Sequence, residues 1–148
     1  MTSQVMDAPH RAPHTARMTD AAANLAVVRR YADAWVAGHL PTIVASYHDE
    51  FTLHYGGSSP LASDHVGKVA ALATLAEVSR RSGRQTPQIV DVAAGERRAV
   101  LLVRETFSRD GRIAILDRAL TFTVKEGKLH ECWIYESDQA AMDRLLAD

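Results

Sequence analysis

Apolar residues follow a helical spacing in the first part of the chain. Over residues 25–36 they recur every three or four positions, and charged side chains occupy positions between them. Thr19 or Asp20 can cap this run at its start, and Gly38 can end it in a left-handed conformation. The pattern predicts an amphipathic helix, followed by a short second helix with Pro41 in its first turn.

The next segment predicts one strand and a third helix. Residues 51–55 read FTLHY, which is typical of a strand, and the glycine- and serine-rich residues 56–60 indicate a loop. Apolar residues return to helical spacing over residues 65–82, and Gly83 follows them. The helices therefore precede most of the predicted strands.

Beyond Gly83 the apolar residues alternate with polar ones, as they do in half-buried strands. Dipeptides that favour tight turns interrupt the alternation, and Asp110 with Gly111 is a strong hairpin signal. Ser137 can cap a short final helix. The predicted strands cover residues 88–94, 98–108, 112–124 and 129–136.

Helices followed by a run of hairpin-connected strands are typical of an α+β domain. We expect a curved antiparallel sheet that wraps around the amphipathic helices and leaves one central pocket. The 148 residues match one domain, which we place at residues 19–148. Residues 1–18 are rich in Pro, His, Ala and Arg without any period, so we expect a disordered extension there.

Composition and charge exclude several classes of function. The 17 basic and 18 acidic residues nearly balance, so we expect no binding to nucleic acid. No apolar run is long enough to span a membrane. Cys132 is the only cysteine, which rules out an intramolecular disulfide and favours a cytoplasmic location. No spacing of histidine and cysteine indicates a metal site, and we expect no metal or other cofactor.

Arg80, Arg81 and Arg84 form the one basic cluster of the sequence. They lie where the third predicted helix ends, so we interpret them as cations that offset the negative end of the helix dipole. This interpretation gives none of the three arginines a role in a site.

The order of the predicted elements resembles the nuclear-transport-factor-2-like (NTF2-like) superfamily. The segment VVRRYADAWVAGHLPTIVASYHDEFTLHY is similar to part of its SnoaL-like and ketosteroid-isomerase-like members, and HYGGSSPLASDHVGK and EGKLHECWIYESDQAAMD resemble bacterial SnoaL-like proteins. The resemblance spans residues 20–146 and implies an NTF2-like cone with one pocket. Because the superfamily contains isomerases, dehydratases, epoxide hydrolases, polyketide cyclases and binding proteins, it implies no single reaction.

The residues of the isomerase mechanism carry over only in part. The oxyanion tyrosine of the isomerases corresponds to Tyr31, whereas their catalytic base falls on Tyr55 and their second oxyanion donor falls on Leu120. The aspartate that epoxide hydrolases need falls near Ile134. A scytalone-dehydratase-like pattern keeps a tyrosine at position 55. The resemblance therefore implies neither isomerase-type enolisation nor epoxide hydrolysis by those residues.

Resemblance and strand alternation together predict which residues face the pocket. Trp35 on the first helix and Tyr55 on the first strand are expected to contact the substrate. The inward residues of the last three strands are Val103, Glu105 and Phe107, then Leu116, Arg118, Leu120 and Phe122, then His130, Cys132 and Ile134.

Three residues are candidates for catalysis. Tyr31 could donate to a developing oxyanion, or could be an ordinary amphipathic core residue. Glu105 and Arg118, across the predicted hairpin, could orient a polar substrate or hold a general base, but a register shift of one residue would place both in water. His54 could transfer protons near neutral pH, or could be a surface histidine.

The leading hypothesis is a cofactor-free lyase, isomerase or cyclase that acts on a small, mostly apolar metabolite. The alternative is a non-catalytic protein that binds a small ligand in the same pocket. An enzyme should hold a titratable group with a shifted pKa beside a donor directed at the substrate oxygen. Trp133 and Tyr135 should face away from the pocket, where the resemblance implies a homodimer interface on the outer sheet face.

Overall fold

The computed structural model describes residues 8–148, with side chains from Asp20 onward. Two helices, α1 (Ala8–Ala37) and α2 (Leu40–Ala45), precede the first strand, β1 (Tyr47–Tyr55). The remaining elements are β2 (Ser63–Val66), α3 (Lys68–Ser82), β3 (Gln88–Ala94), β4 (Ala99–Arg109), β5 (Arg112–Lys125), β6 (Lys128–Glu136) and α4 (Gln139–Leu146).

The six strands form one open, curved sheet in the order β2-β1-β6-β5-β4-β3. Helix α1 packs against β3, β4, β5 and β6, and α3 packs against β1 and β4. Neighbouring strands are antiparallel except for β1 and β6, which are parallel. The prediction of a curved sheet on helices is confirmed, and the expectation of a wholly antiparallel sheet is wrong at that one pair.

Two tight turns set the register of the long strands. Asp110 and Gly111 have φ angles of 52° and 77°, and Glu126 and Gly127 have φ angles of 54° and 74°. Positive φ at both central residues gives the turn whose twist suits a two-residue hairpin. These turns fix β4 against β5 and β5 against β6. The hairpin predicted at Asp110 is therefore confirmed.

Strand alternation divides the sheet into a buried inner face and a more exposed outer face. On β4, Val103, Glu105 and Phe107 are buried, with the residues between them more exposed. On β5, Leu116, Arg118, Leu120 and Phe122 are buried in the same way. The inner face packs against α1 and α3, where the burial of apolar side chains stabilises the fold.

Two predicted elements begin at other residues than expected. Helix α3 begins at Lys68, because residues 63–66 form β2, which pairs with β1 and which the sequence analysis did not predict. The final helix is capped by Asp138, whose carboxylate accepts a hydrogen bond from the Ala141 backbone. The Ser137 hydroxyl instead accepts a hydrogen bond from the Asp117 backbone, so its predicted role as a cap is wrong.

His130 does not face inward as predicted. The pairing of β5 with β6 shifts between Thr123 and Val124, and Leu129 takes the buried position beside the shift. The His130 ring packs instead against the His48 ring, with the ring centroids 5.4 Å apart. A bulge of this kind reverses the faces of the residues before it, and simple alternation cannot anticipate it.

The first helix extends further toward the N-terminus than predicted. Helix α1 begins at Ala8, before the caps expected at Thr19 or Asp20. Residues 1–7 of the extension expected to be disordered lie outside the described residues, and the domain boundary near residue 18 stays a prediction. Within residues 8–148, no helix combines the length and the apolar character needed to cross a membrane.

Candidate functional site

A cavity of about 260 Å³ lies between the helices and the inner face of the sheet. This volume is just below the roughly 300–1,000 Å³ of typical small-molecule sites, so the cavity suits a small molecule. Most of its lining is apolar. Seven of the residues predicted to form the pocket border this cavity: Tyr31, Trp35, Arg118, Leu120, Phe122, Cys132 and Ile134.

Three further residues predicted to contact substrate, Tyr55, Val103 and Phe107, are buried but do not border this cavity. Val103 and Phe107 belong to the apolar core, and the Arg118 guanidinium lies over the Phe107 ring at 5.5 Å from its centroid. Tyr55 accepts a hydrogen bond from Arg118 at 3.3 Å. Contact of these three side chains with substrate stays a prediction.

A larger groove of about 540 Å³ lies at the end of the β4–β5 hairpin, beside α4. Charged side chains line much of it, and Arg109 donates to the backbone oxygens of Leu145 and Ala147, at 2.6 and 2.5 Å. The arginine thus satisfies carbonyl groups at the end of α4. The apolar cavity is the better candidate for a small-molecule site.

Two tyrosine hydroxyls meet at the cavity wall. Tyr31 comes from α1 and Tyr47 from the start of β1, and their oxygens lie 2.7 Å apart in a buried hydrogen bond. The Tyr31 ring also packs edge-on against Phe122, with the centroids 5.7 Å apart. One of the two hydroxyls donates in this bond, so the other keeps a hydrogen that it can donate elsewhere.

Burial keeps both of these hydroxyls protonated. It raises the pKa of Tyr31 to about 12, and it raises the pKa of Tyr47 well above its ordinary value. A tyrosine that stays neutral can donate a hydrogen bond to an oxygen that develops negative charge. Tyr47 was not predicted as a site residue, because residues 16 positions apart on two elements share no local pattern.

A buried ion-pair cluster lies beside the cavity. The Glu105 Oε2 accepts a hydrogen bond from Arg118 Nη1 at 2.5 Å, and neither side chain is more than 1% exposed. Arg118 Nε donates to both oxygens of Glu136, at 3.1 Å in the case of Oε2. The prediction that Glu105 and Arg118 pair on the buried face is confirmed. Glu136 was not predicted.

The cluster holds Arg118 in its charged form. Burial opposes the charge of Arg118, but the carboxylates of Glu105 and Glu136 outweigh this effect and raise the pKa of Arg118 above its ordinary value. Burial also raises the pKa of Glu136, and the nearby Arg118 offsets part of the rise. Buried charges of this kind are tolerated only when each has a partner.

Arg84 is a site residue that the sequence analysis misinterpreted. Its side chain borders the cavity, with Nε 3.3 Å from Glu105 Oε1 and its guanidinium carbon 5.7 Å from the centroid of the Trp35 ring. Arg80 and Arg81 remain at the end of α3, where both pair with Glu77. The interpretation as helix-end cations therefore fits those two arginines and is wrong for Arg84.

The backbone on both sides of Arg84 is anchored to β4. Gly83 ends α3 with φ of 54°, and a Cβ atom there would lie 2.4 Å from the Ser108 backbone oxygen. The Gln85 backbone N–H donates to the Thr106 oxygen at 3.1 Å. Glycine is therefore required at position 83. The signal in the sequence was that Arg84 follows this glycine and so lies beyond the helix.

His54 lies on the opposite face of the sheet from the cavity. It lies between two carboxylates, with Nδ1 2.8 Å from Asp64 Oδ1 and Nε2 2.8 Å from Glu131 Oε2. Its ring stacks on the Trp133 ring, with the ring centroids 4.6 Å apart. Its neighbours Leu53 and Tyr55 face inward, so alternation turns His54 outward. The prediction that His54 transfers protons in the pocket is wrong for this reason.

Cys132 borders the cavity but is not activated. Burial raises its pKa above the ordinary value, so the side chain is a neutral thiol that contributes apolar surface. Among residues 8–148, no group of three or more His, Cys, Asp or Glu side chains is arranged to hold a metal ion.

The open curved sheet and the helices packed on it place the chain in the NTF2-like class of folds. The model of the SnoaL-like domain matches residues 28–132, and the chain belongs to that family. No curated protein matches the chain in sequence.

Solved structures agree with this assignment. Bal32a from a soil-derived mobile gene cassette is 23% identical with a TM-score of 0.78, over 86% of this chain and 98% of that one. An NTF2-like protein from Burkholderia xenovorans LB400 is 22% identical with a TM-score of 0.70, and the match covers 85% of this chain and 97% of that one. A candidate SnoaL-like polyketide cyclase from Jannaschia sp. CCS1 is 18% identical with a TM-score of 0.69, and the match covers 86% of this chain and 94% of that one. Identities this low show a shared fold alone.

Proposed function

We propose that this domain is a cofactor-free lyase, isomerase or cyclase that acts on a small, mostly apolar carbonyl compound bound in the cavity. The observation that carries the proposal is the Tyr31–Tyr47 hydroxyl pair. Neither hydroxyl makes a second hydrogen bond within the described part of the chain, so one hydrogen remains to donate to a ligand.

A carbonyl oxygen in the cavity would accept this hydrogen from Tyr31. As the carbonyl compound transfers an α-proton to the Glu105 carboxylate, the remaining predicted base, charge builds up on that oxygen, and a donor that is already in place stabilises the charge. Tyr47 would at the same time donate to Tyr31, because the pair can share one hydrogen bond in either direction. The apolar wall would exclude water and strengthen the interaction.

Glu105 has two possible roles in such a site, as the proton acceptor or as the anchor of the two arginines. Its Oε2 accepts from Arg118, and its Oε1 lies 3.3 Å from Arg84 Nε. Both oxygens therefore face guanidinium groups, but only Oε2 accepts a hydrogen bond from them. Oε2 would anchor Arg118 and Oε1 would accept the α-proton, and a Glu105→Gln variant tests this transfer.

The test is exchange of α-protons in deuterated water, followed by NMR for small aryl ketones such as propiophenone and 1-tetralone. The wild type should accelerate exchange, and Tyr31→Phe should lower the rate by about a hundredfold, because one oxyanion donor is lost. Tyr135→Phe, a change on the exposed outer face, serves as the matched control. Equal rates for wild type and Tyr31→Phe would contradict the proposal.

Non-catalytic binding is the second candidate, and the composition of the wall favours it. Apart from the tyrosine pair and two arginines, the cavity is lined mainly by apolar side chains, including Phe51, Leu53 and Leu72. A protein of this kind would bind the aryl ketones with no exchange above the background rate. Calorimetry beside the exchange measurement distinguishes the two candidates.

A further inference from the structure

We propose that the natural ligand of the cavity carries a carboxylate group, and that Arg84 binds this group. The inference rests on the proposed function, because it assigns a ligand class to the same cavity. Arg84 would be a residue that determines specificity, separate from the tyrosine pair that would act on the carbonyl oxygen.

Arg84 brings unused hydrogen-bond donors to the cavity. A guanidinium group has five N–H donors, and Arg84 makes no hydrogen bond within the described part of the chain. Its Nε is buried and forms no hydrogen bond, although it lies 3.3 Å from the Glu105 carboxylate, and its side chain is only 13% exposed. Leaving a buried charged group without hydrogen bonds is costly, so its natural partner is a group that enters the cavity.

Arg118 also borders the cavity, but each of its three nitrogens already donates a hydrogen bond. It donates from Nε to Glu136, from Nη1 to Glu105 and from Nη2 to Tyr55. Its side chain is 1% exposed, so little of it remains open to a ligand. Of the two arginines that border the cavity, Arg84 is therefore the one available for recognition.

Glu105 forms an ion pair with Arg84 but does not satisfy its hydrogen-bond donors. Glu105 lies within 2.5 Å of Arg118 but 3.3 Å from Arg84 Nε, in a geometry that forms no hydrogen bond with Arg84. A carboxylate matches the planar fork of a guanidinium with two parallel hydrogen bonds, which a neutral amide cannot do. The ring of Trp35 beside the guanidinium offers apolar surface to the adjoining carbon chain.

The experiment compares 3-phenylpropanoate with its neutral analogue 3-phenylpropanamide by isothermal titration calorimetry. The wild type should bind the carboxylate about tenfold more tightly than the amide. Arg84→Gln should remove this preference and leave the affinity for the amide within about twofold. Arg84→Lys, which keeps the charge but loses the fork, should retain part of the preference. Arg80→Gln, at the exposed end of α3, should behave as the wild type.

Three outcomes would overturn the inference, and they differ in what they say about the proposed function. Equal binding of both probes by the wild type would overturn the role of Arg84 and leave a neutral ligand for the cavity. Equal weakening of both probes by Arg84→Gln would show that the residue only supports the cavity. Binding of neither probe would overturn the inference, while α-proton exchange in the aryl ketones would still decide the proposed function separately.

Discussion

Two charge clusters lie on opposite faces of the same sheet, and they differ mainly in their exposure to water. On the inner face, Arg118 joins Glu105 and Glu136, and the three side chains are 1%, 0% and 3% exposed. On the outer face, His54 joins two carboxylates whose side chains are 70% and 31% exposed. Similar ion pairs therefore contribute differently to the stability of the fold on the two faces.

Water accounts for the difference. On the outer face, each charged group that loses its partner can be solvated, so an exposed pair contributes little to stability. On the inner face, the loss of one member leaves a charge buried in an apolar wall. The inner cluster thus fixes side chains beside the cavity, whereas the outer cluster links neighbouring strands at small energetic gain.

Removal of Arg118 should have the largest effect. Arg118→Leu leaves the buried Glu136 carboxylate without its cation and Glu105 with Arg84 alone, and it should lower the free energy of unfolding by about 3–5 kcal/mol. Urea denaturation followed by circular dichroism measures this. A loss below about 1 kcal/mol would show that the inner cluster is no different from a surface ion pair.

Glu105→Gln should have an intermediate effect. It removes the negative charge but keeps the shape and one acceptor, and Arg118 retains Glu136 as its partner. We expect a loss of about 1–3 kcal/mol in the free energy of unfolding. If Glu105 anchors the arginines, the variant should also weaken binding of 3-phenylpropanoate in calorimetry. An unchanged affinity together with a lost acceleration of proton exchange would indicate that Glu105 is the proton acceptor.

His54→Gln should change stability by less than about 1 kcal/mol. Burial lowers the pKa of His54, but hydrogen bonds to Glu131 and Asp64 outweigh it, so the pKa lies above the ordinary value. The stabilising contribution of His54 is therefore complete below about pH 6.5 and is lost as the pH rises through the raised pKa. The free energies of unfolding of wild type and variant should converge at higher pH. A difference that grows with pH would contradict a raised pKa for His54.

The smallest effect on the stability of the single chain is expected on the apolar part of the outer face. Ile113, Ile115 and Tyr135 are 72%, 63% and 59% exposed, and the homodimer through this face stays a prediction. Ile115→Arg should leave the unfolding of the monomer nearly unchanged and shift sedimentation toward the monomer. A wild type that sediments as a monomer at all concentrations would contradict the dimer.

The part of the site that could be predicted depends on local signals. The turn at Asp110 and Gly111 fixes the register of β4 and β5, so the meeting of Glu105 with Arg118 follows from the sequence. Tyr47 and Arg84 could not be found in this way. Their positions depend on how α1 and α3 pack across the sheet, and no local pattern specifies such contacts.

Other differences between the predictions and the structure also have physical causes. Alternation alone requires that His54 and Tyr55 face opposite sides, so His54 could have been excluded from the pocket by the sequence. The parallel pairing of β1 with β6 could not be predicted, because no hairpin joins these strands and one helix and four strands lie between them in the chain. The bulge that turns His130 away carries no strong sequence signal either.

The most direct test of the account uses the two tryptophans of the chain, Trp35 at the cavity and Trp133 on the outer face beside His54. Their indole N–H groups give separate signals in a two-dimensional ¹H–¹⁵N NMR spectrum, which can be recorded during titration with 3-phenylpropanoate. If the ligand binds in the cavity, we expect the Trp35 signal to shift progressively and the Trp133 signal to stay in place. A shift of Trp133 alone, or of neither signal, would contradict a ligand site on the inner face.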